Sequence, residues 1–78
     1  MLKATLQFTD CCGDNKNVFG TLSKCGVQII KSKFSAYTTT STVTILVVSY
    51  DQLSSVLDVL NKNSLYGVSL LKVKRKWF

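Results

Sequence analysis

Histidine, glutamate and proline do not occur in this 78-residue chain, and each absence closes off a class of function. Without imidazole there is no histidine general base and no histidine-type zinc site. Without glutamate the only carboxylates are Asp10, Asp14, Asp51 and Asp58. They are dispersed, and two of them sit where helix caps are expected, so paired-carboxylate chemistry is not expected. The four glycines stand apart from one another, which leaves no phosphate-binding loop and no dinucleotide fingerprint. A cysteine nucleophile would find only Lys, Asp or Tyr as its base. The composition therefore argues against an enzyme, and neither a cofactor nor a metal is expected. No segment approaches the roughly 20 apolar residues that span a bilayer, and the start, MLKATLQF, lacks the apolar run of a signal peptide. Three cysteines, Cys11, Cys12 and Cys25, contain no C-x-x-C. An odd count with two adjacent members is not a disulfide framework. A cytoplasmic, reducing compartment and no membrane partner are the expectation.

What is present fits a folded chain. Apolar residues make up 46% of it, with no repetitive or proline-rich stretch, and the length suits one domain over residues 1–78 with one core. A domain this small buries only about 60% of its unfolded surface. Ten Lys and Arg against four Asp give a net charge of +6, a balance that attracts nucleic acid, anionic membrane or acidic partners. Along the sequence the charge is scattered until Lys72, Lys74, Arg75 and Lys76 crowd together, a cluster that reads as a solvated terminal strand.

Hydrophobic period supplies the elements. Leu2, Ala4, Leu6 and Phe8 alternate with Lys3, Thr5, Gln7 and Thr9, a strand with one buried face. Asp10 to Asp14 (DCCGD) interrupts it. Val18, Leu22 and Cys25 then recur at helical spacing, which predicts a helix over 14–25 capped by Asp14 and stopped by Gly26. Val27 to Tyr37 predicts a strand whose alternation slips at Ile29-Ile30, as a bulge would make it do. A turn is expected at the threonine-rich Thr38 to Thr42. Val43, Ile45 and Val47 point one way and Leu46 and Val48 the other, which predicts a central strand covered on both sides. Leu53, Val56, Leu57 and Leu60 form a helical stripe over 51–62, with Asp51 as cap. Tyr66 to Trp77 closes the chain as a strand. The order β-α-β-β-α-β with right-handed crossovers predicts an α+β, ferredoxin-like arrangement, a four-stranded antiparallel sheet with two helices on one face.

Two chemistries remain open at this level. Cys11, Cys12 and Cys25 could supply thiolates to a soft metal; small cysteines also pack well at a strand end, and adjacent ones chelate less comfortably than spaced ones. Trp77, Phe78 and the basic run suit a stacking-plus-charge nucleic-acid surface. The first strand, however, shows solvent only Lys3, Thr5 and Gln7, without the aromatics of the four-stranded RNA-recognition module. Nucleic acid is accordingly the lesser alternative.

Asp10-Cys11-Cys12-Gly13, then Gly26, then Gln28-Ile29 resembles the signature of the ACT domain, a small-molecule regulatory module. That family often carries D-R-P-G after its first strand, a glycine thirteen residues later and N-I opening its second strand. VTILVVSYDQLSSVLDVLNKN is similar to its third strand and second helix, in particular those of the regulatory small subunits of acetohydroxyacid synthase. The resemblance runs from about Leu2 to Val73. It departs at Cys11-Cys12, where the family has arginine-proline, and at Asp14-Asn15, where the family has apolar residues. The heavy-metal-associated domains share the fold and place cysteines in this loop, but as C-x-x-C. The resemblance implies a ligand-sensing module that binds an amino acid and modulates a biosynthetic enzyme. Its ligand site would use the backbone amides of Gly13, Asp14 and Asn15 at the positive end of the first helix for a carboxylate. Asp10 would take the ammonium group, and Gln28 and Ile29 would come from a second copy.

A homodimer is expected on separate grounds. Leu46 and Val48, joined by Leu71 and Val73, would leave apolar surface on the sheet face away from the helices, and such surface marks interfaces. Face-to-face stacking and edge-strand pairing are both open routes.

Overall fold

Period-two and period-3.6 patterns fix six elements in the computed structural model, which describes residues 1–10, 14–65 and 67–75. They are β1 (Leu2–Thr9), α1 (Asp14–Cys25), β2 (Gln28–Ser35), β3 (Thr40–Val47), α2 (Tyr50–Asn63) and β4 (Val68–Arg75). The strands form one antiparallel sheet in the order β2-β3-β1-β4, the ferredoxin-like arrangement that the element order requires. Both predicted helices are present with bounds within one residue of expectation. Tyr66 and Trp77, assigned above to the last strand, lie outside the described residues.

One face of the sheet and the two helices make the core. Leu2, Ala4, Leu6 and Phe8 of β1 and Val43, Ile45 and Val47 of β3 are buried against Val18 and Leu22 of α1 and Leu53, Val56 and Leu60 of α2. Phe19, Cys25, Leu57 and Val73 pack at the margin, with Phe8 and Phe19 in an edge-to-face contact at a 6.2 Å centroid separation. Gly26 ends α1 at φ +73°, its N–H donating to the Ser23 carbonyl. The slip at Ile29-Ile30 is a real irregularity: the β2–β3 register shifts between Ile29 and Lys31. A second shift, opposite Thr5 and Leu6, falls in β4 at Leu71 and resolves the ambiguity of the Leu70-Leu71 pair.

Three local expectations are corrected. Ser49, not Asp51, caps α2: its Oγ accepts from the Gln52 N–H at 3.3 Å, while Asp51 lies inside the first turn. Asp14 does not serve α1's own amides among the described contacts; it is fully buried and accepts from the backbone N–H of Leu65, across the fold. The sheet face away from the helices is also not apolar. Leu46 lies there half-buried, but Val48 falls beyond the end of β3 and is 66% exposed. Val73 stands opposite Ala4 and packs on the helix side. β3 is central, as expected, yet the chain's helices cover it on one side only.

The register shows what occupies that open face. Lys31, Thr44, Thr5 and Lys72 form one straight row across all four strands. Gln28, Leu46, Lys3 and Lys74 form the row on one side of it, and Lys33, Thr42, Gln7 and Ser69 the row on the other.

Candidate ligand-binding site

The loop between β1 and α1 carries most of the residues singled out in the sequence, and its anchors are polar. Asp10 follows the last residue of β1, where a strand facing the core ends and the chain must turn toward α1. Its backbone N–H donates to the Thr39 carbonyl at 2.7 Å, tying the loop to the β2–β3 turn. Its carboxylate Oδ2 accepts from Asn15 Nδ2 at 3.0 Å and from Ser41 Oγ at 2.9 Å. Both partners are neutral, so among the described residues the carboxylate is oriented without its charge being cancelled. Asp10 remains half-exposed. It is a fixed anion at the rim of the helix layer, suited to a cationic group such as an ammonium.

Asp14 begins α1 and is completely buried. Its Oδ1 accepts from Asn17 Nδ2 at 3.2 Å and from the Leu65 N–H at 3.0 Å. Among the described residues Oδ2, also buried, has no partner. Burial of a carboxylate is costly unless its oxygens are satisfied. The link to Leu65 ties α1 to the loop after α2, so Asp14 fixes where the helix begins.

The structure thus joins Asp10, Asp14 and Asn15 at one end of the fold, by a direct hydrogen bond in the case of Asp10 and Asn15. Gly13, with Cys11 and Cys12, lies outside the described residues. Cys25 is half-buried at the end of α1 and packs on the core. Gln28 and Ile29 open β2 on the edge of the sheet and are exposed. Among the described residues Asp10 bonds to Thr39, Asn15 and Ser41, and neither Gln28 nor Ile29 is among its hydrogen-bond partners.

Two participants were missed in the sequence. Ser41 was read as part of a turn; it is the second residue of β3, opposite Phe8 and buried. A polar residue in phase with Val43, Ile45 and Val47 is the signal that would have found it. Asn61, exposed on α2 and outside its apolar stripe, uses its amide to bracket the start of β4. Its Oδ1 accepts from the Val68 N–H at 2.9 Å, and its Nδ2 donates to the Leu57 carbonyl at 2.9 Å. With Gly67 at φ +85° and its N–H donating to Ser64 Oγ, Asn61 holds the connection whose Leu65 reaches Asp14.

No protein-family model matches the chain, and no curated protein matches it. Among solved structures, the ACT domain from the GTP pyrophosphokinase of Chlorobium tepidum superposes with a TM-score of 0.70 at 24% identity, over 88% of this chain and 96% of that one. No described helix is long and apolar enough to cross a membrane. Element order, sheet order and superposition agree: the chain has the fold of an ACT domain.

Proposed function

We infer that the protein is a non-catalytic, ligand-sensing regulatory module of the ACT type, acting in the cytoplasm as a homodimer and taking a free amino acid near Asp10. The observation that carries this reading is the oriented, uncancelled Asp10 carboxylate in the β1–α1 loop of an ACT fold. An amino acid presents an ammonium and a carboxylate a few ångströms apart. Asp10 answers the first, and the amides of Asp14 and Asn15 at the positive end of α1 answer the second.

Of the two dimer routes, edge pairing has the support. The open sheet face is lined with lysines, so two such faces would repel when stacked. β2 is an edge strand exposed along its whole length, with Ile29, Ile30 and Phe34 exposed at 37%, 39% and 57%. Unpaired backbone groups beside apolar side chains make a template for a second strand. Pairing through β2 would bring Gln28 and Ile29 of one copy toward its partner. The other edge, β4, carries three cations, Lys72, Lys74 and Arg75, against Lys31 and Lys33 on β2, and so discourages pairing more strongly.

Calorimetry of the intact chain against branched and small polar amino acids, with sedimentation in parallel, tests the reading. A binder in the panel, lost at least tenfold in Asp10→Ala, is the expected result. Silence across the panel would sink the amino-acid assignment, and sedimentation as a monomer at micromolar concentration would sink the dimer.

A further inference from the structure

The net charge of the protein is not spread over it. All four aspartates lie on the helix side of the sheet: Asp14 in α1, Asp51 and Asp58 in α2, and Asp10 bonded to the helix-facing Ser41. Lys16, Lys24 and Lys62 lie on the helices among them. The open face holds Lys3, Lys31, Lys33, Lys72 and Lys74 and no acidic residue among those described. The folded molecule is close to balanced on one side and strongly cationic on the other.

The arrangement is a furrow. Lys31 and Lys33 rise from β2 on one edge and Lys72 and Lys74 from β4 on the other, while β3 offers only Thr40, Thr42, Thr44 and Leu46 to this face. Three strand spacings separate the edges, about 14–15 Å. Lys3, Thr5, Lys31, Lys33, Thr42, Thr44 and Lys72 line a shallow open depression of ≈ 230 Å³. Thr5 and Thr44 are buried although no helix lies above them. The long lysine stems beside them cover their flanks and carry the ammonium groups outward.

Lys3 and Lys74 are direct register partners on β1 and β4. Like charges directly opposite one another destabilise a sheet, so this face holds an unfavourable arrangement that an anion would relieve.

We propose that the open sheet face binds single-stranded nucleic acid through its phosphates. The lysine walls match a repeating anion, and the threonine floor offers hydroxyl donors between them. Among the described residues of the strands no aromatic side chain lies on this face: Phe8 and Phe34 both pair with Ser41, one from each side of β3, and share its helix-side row. Bases therefore find no stacking platform, and recognition runs through the backbone without base preference. The furrow is open and shallow, which suits an extended strand and not an enclosed small molecule. A duplex is a stiff rod, broader than the roughly 14–15 Å between the edge strands, and cannot follow the floor between the lysine walls. This binding does not depend on the amino-acid site; the surfaces are on opposite sides of the sheet.

Fluorescence anisotropy of a labelled 12-nucleotide oligothymidylate with the full chain, from 50 to 200 mM salt, tests it. Engagement of three to five lysines predicts a slope of log K against log salt of about −2 to −3.5. Lys31→Gln with Lys33→Gln and Lys72→Gln should weaken binding at least tenfold at 100 mM salt and flatten the slope by about 2. Lys16→Gln with Lys24→Gln and Lys62→Gln removes the same charge from the helix side and should leave affinity within threefold. If the first triple variant does not fold, Lys72→Gln alone decides, with an expected flattening of about 0.7. Equal losses in the two triple variants, no binding by the unaltered chain at 50 mM salt, or equal affinity for a duplex of the same length would each overturn the proposal.

Discussion

The two faces of the β-sheet are built from the same strands and obey opposite rules. On the helix side, Leu6, Val43 and Ile45 are sealed from water, and small changes of volume are felt because nothing can move to fill a gap. On the open side, one residue along each strand, Thr5, Thr42 and Thr44 lie among lysines, with no acid on this face among the described residues. Burial keeps the first face in place; the backbone ladder and the shading of long side chains suffice for the second. Stability and function are therefore separable here by a single step along a strand. Leu6→Ala should cost about 2–5 kcal/mol, a large share of what a domain of this size possesses. Gln7→Ala, the next residue and on the other face, should change stability by no more than about 0.5 kcal/mol. Urea unfolding of the pair measures the contrast, and equal losses would break it.

A polar version of the same contrast separates the two aspartates that flank the β1–α1 loop. Asp14 is buried and receives the Leu65 N–H, whereas Asp10 is half-exposed and its carboxylate receives only the side chains of Asn15 and Ser41 among the described residues. Asp14→Ala leaves a backbone donor without its acceptor, which costs about 1–3 kcal/mol. Asp10→Ala should cost less, about 1 kcal/mol, while weakening the proposed amino-acid binding at least tenfold. Chemical unfolding alongside calorimetry distinguishes the structural carboxylate from the ligand-facing one, and a larger stability loss at Asp10 would reverse the assignment.

Legibility from sequence followed the same division. The core was readable because its signal is periodic: Leu2, Ala4, Leu6 and Phe8 announce a buried face, and Leu53, Val56, Leu57 and Leu60 a buried stripe. The slip at Ile29-Ile30 showed in the broken alternation. The open face was not read, although Lys31 and Lys33, and Lys72 and Lys74, have the same spacing of two. Charges look scattered along a chain when only cross-strand register brings them together. Leu46, Val48, Leu71 and Val73 misled for a related reason, since the end of β3 and the irregularity at Leu71 reassign them in ways that parity alone does not reveal. In the candidate site Asp10 was legible as a turn residue, but Ser41, 31 positions away, and Asp14's bond to Leu65, 51 positions away, are products of topology.

At the start of α2 the comparison moves to two neighbouring residues. Ser49 has extended backbone and its hydroxyl meets the Gln52 N–H. Asp51 lies within the helix, where its charge only complements the positive end of the helix dipole. Ser49→Ala should therefore cost about 1 kcal/mol and Asp51→Asn about 0.3–0.5 kcal/mol. Thermal unfolding at low and high salt checks both assignments. The Asp51 effect should shrink with salt and the Ser49 effect should not, so a salt-insensitive loss at Asp51 would restore it as the cap.

One expected effect has the opposite sign. Lys3 and Lys74 face each other across β1 and β4, and no aspartate lies on their side of the sheet. Lys74→Glu turns a repulsive cross-strand pair into an attractive one, worth about 0.2–1 kcal/mol of added stability. Because both side chains are exposed, the gain should fade as salt screens charges over a Debye length of about 10 Å at 0.1 M. The same substitution removes one cation from the lysine wall and adds an anion, so oligothymidylate affinity should fall while the fold grows firmer. A variant more stable than its parent and poorer at binding is what a face kept for a ligand predicts. If Lys74→Glu instead destabilises the sheet, the lysine serves the fold, and the charge on the open face has a structural purpose.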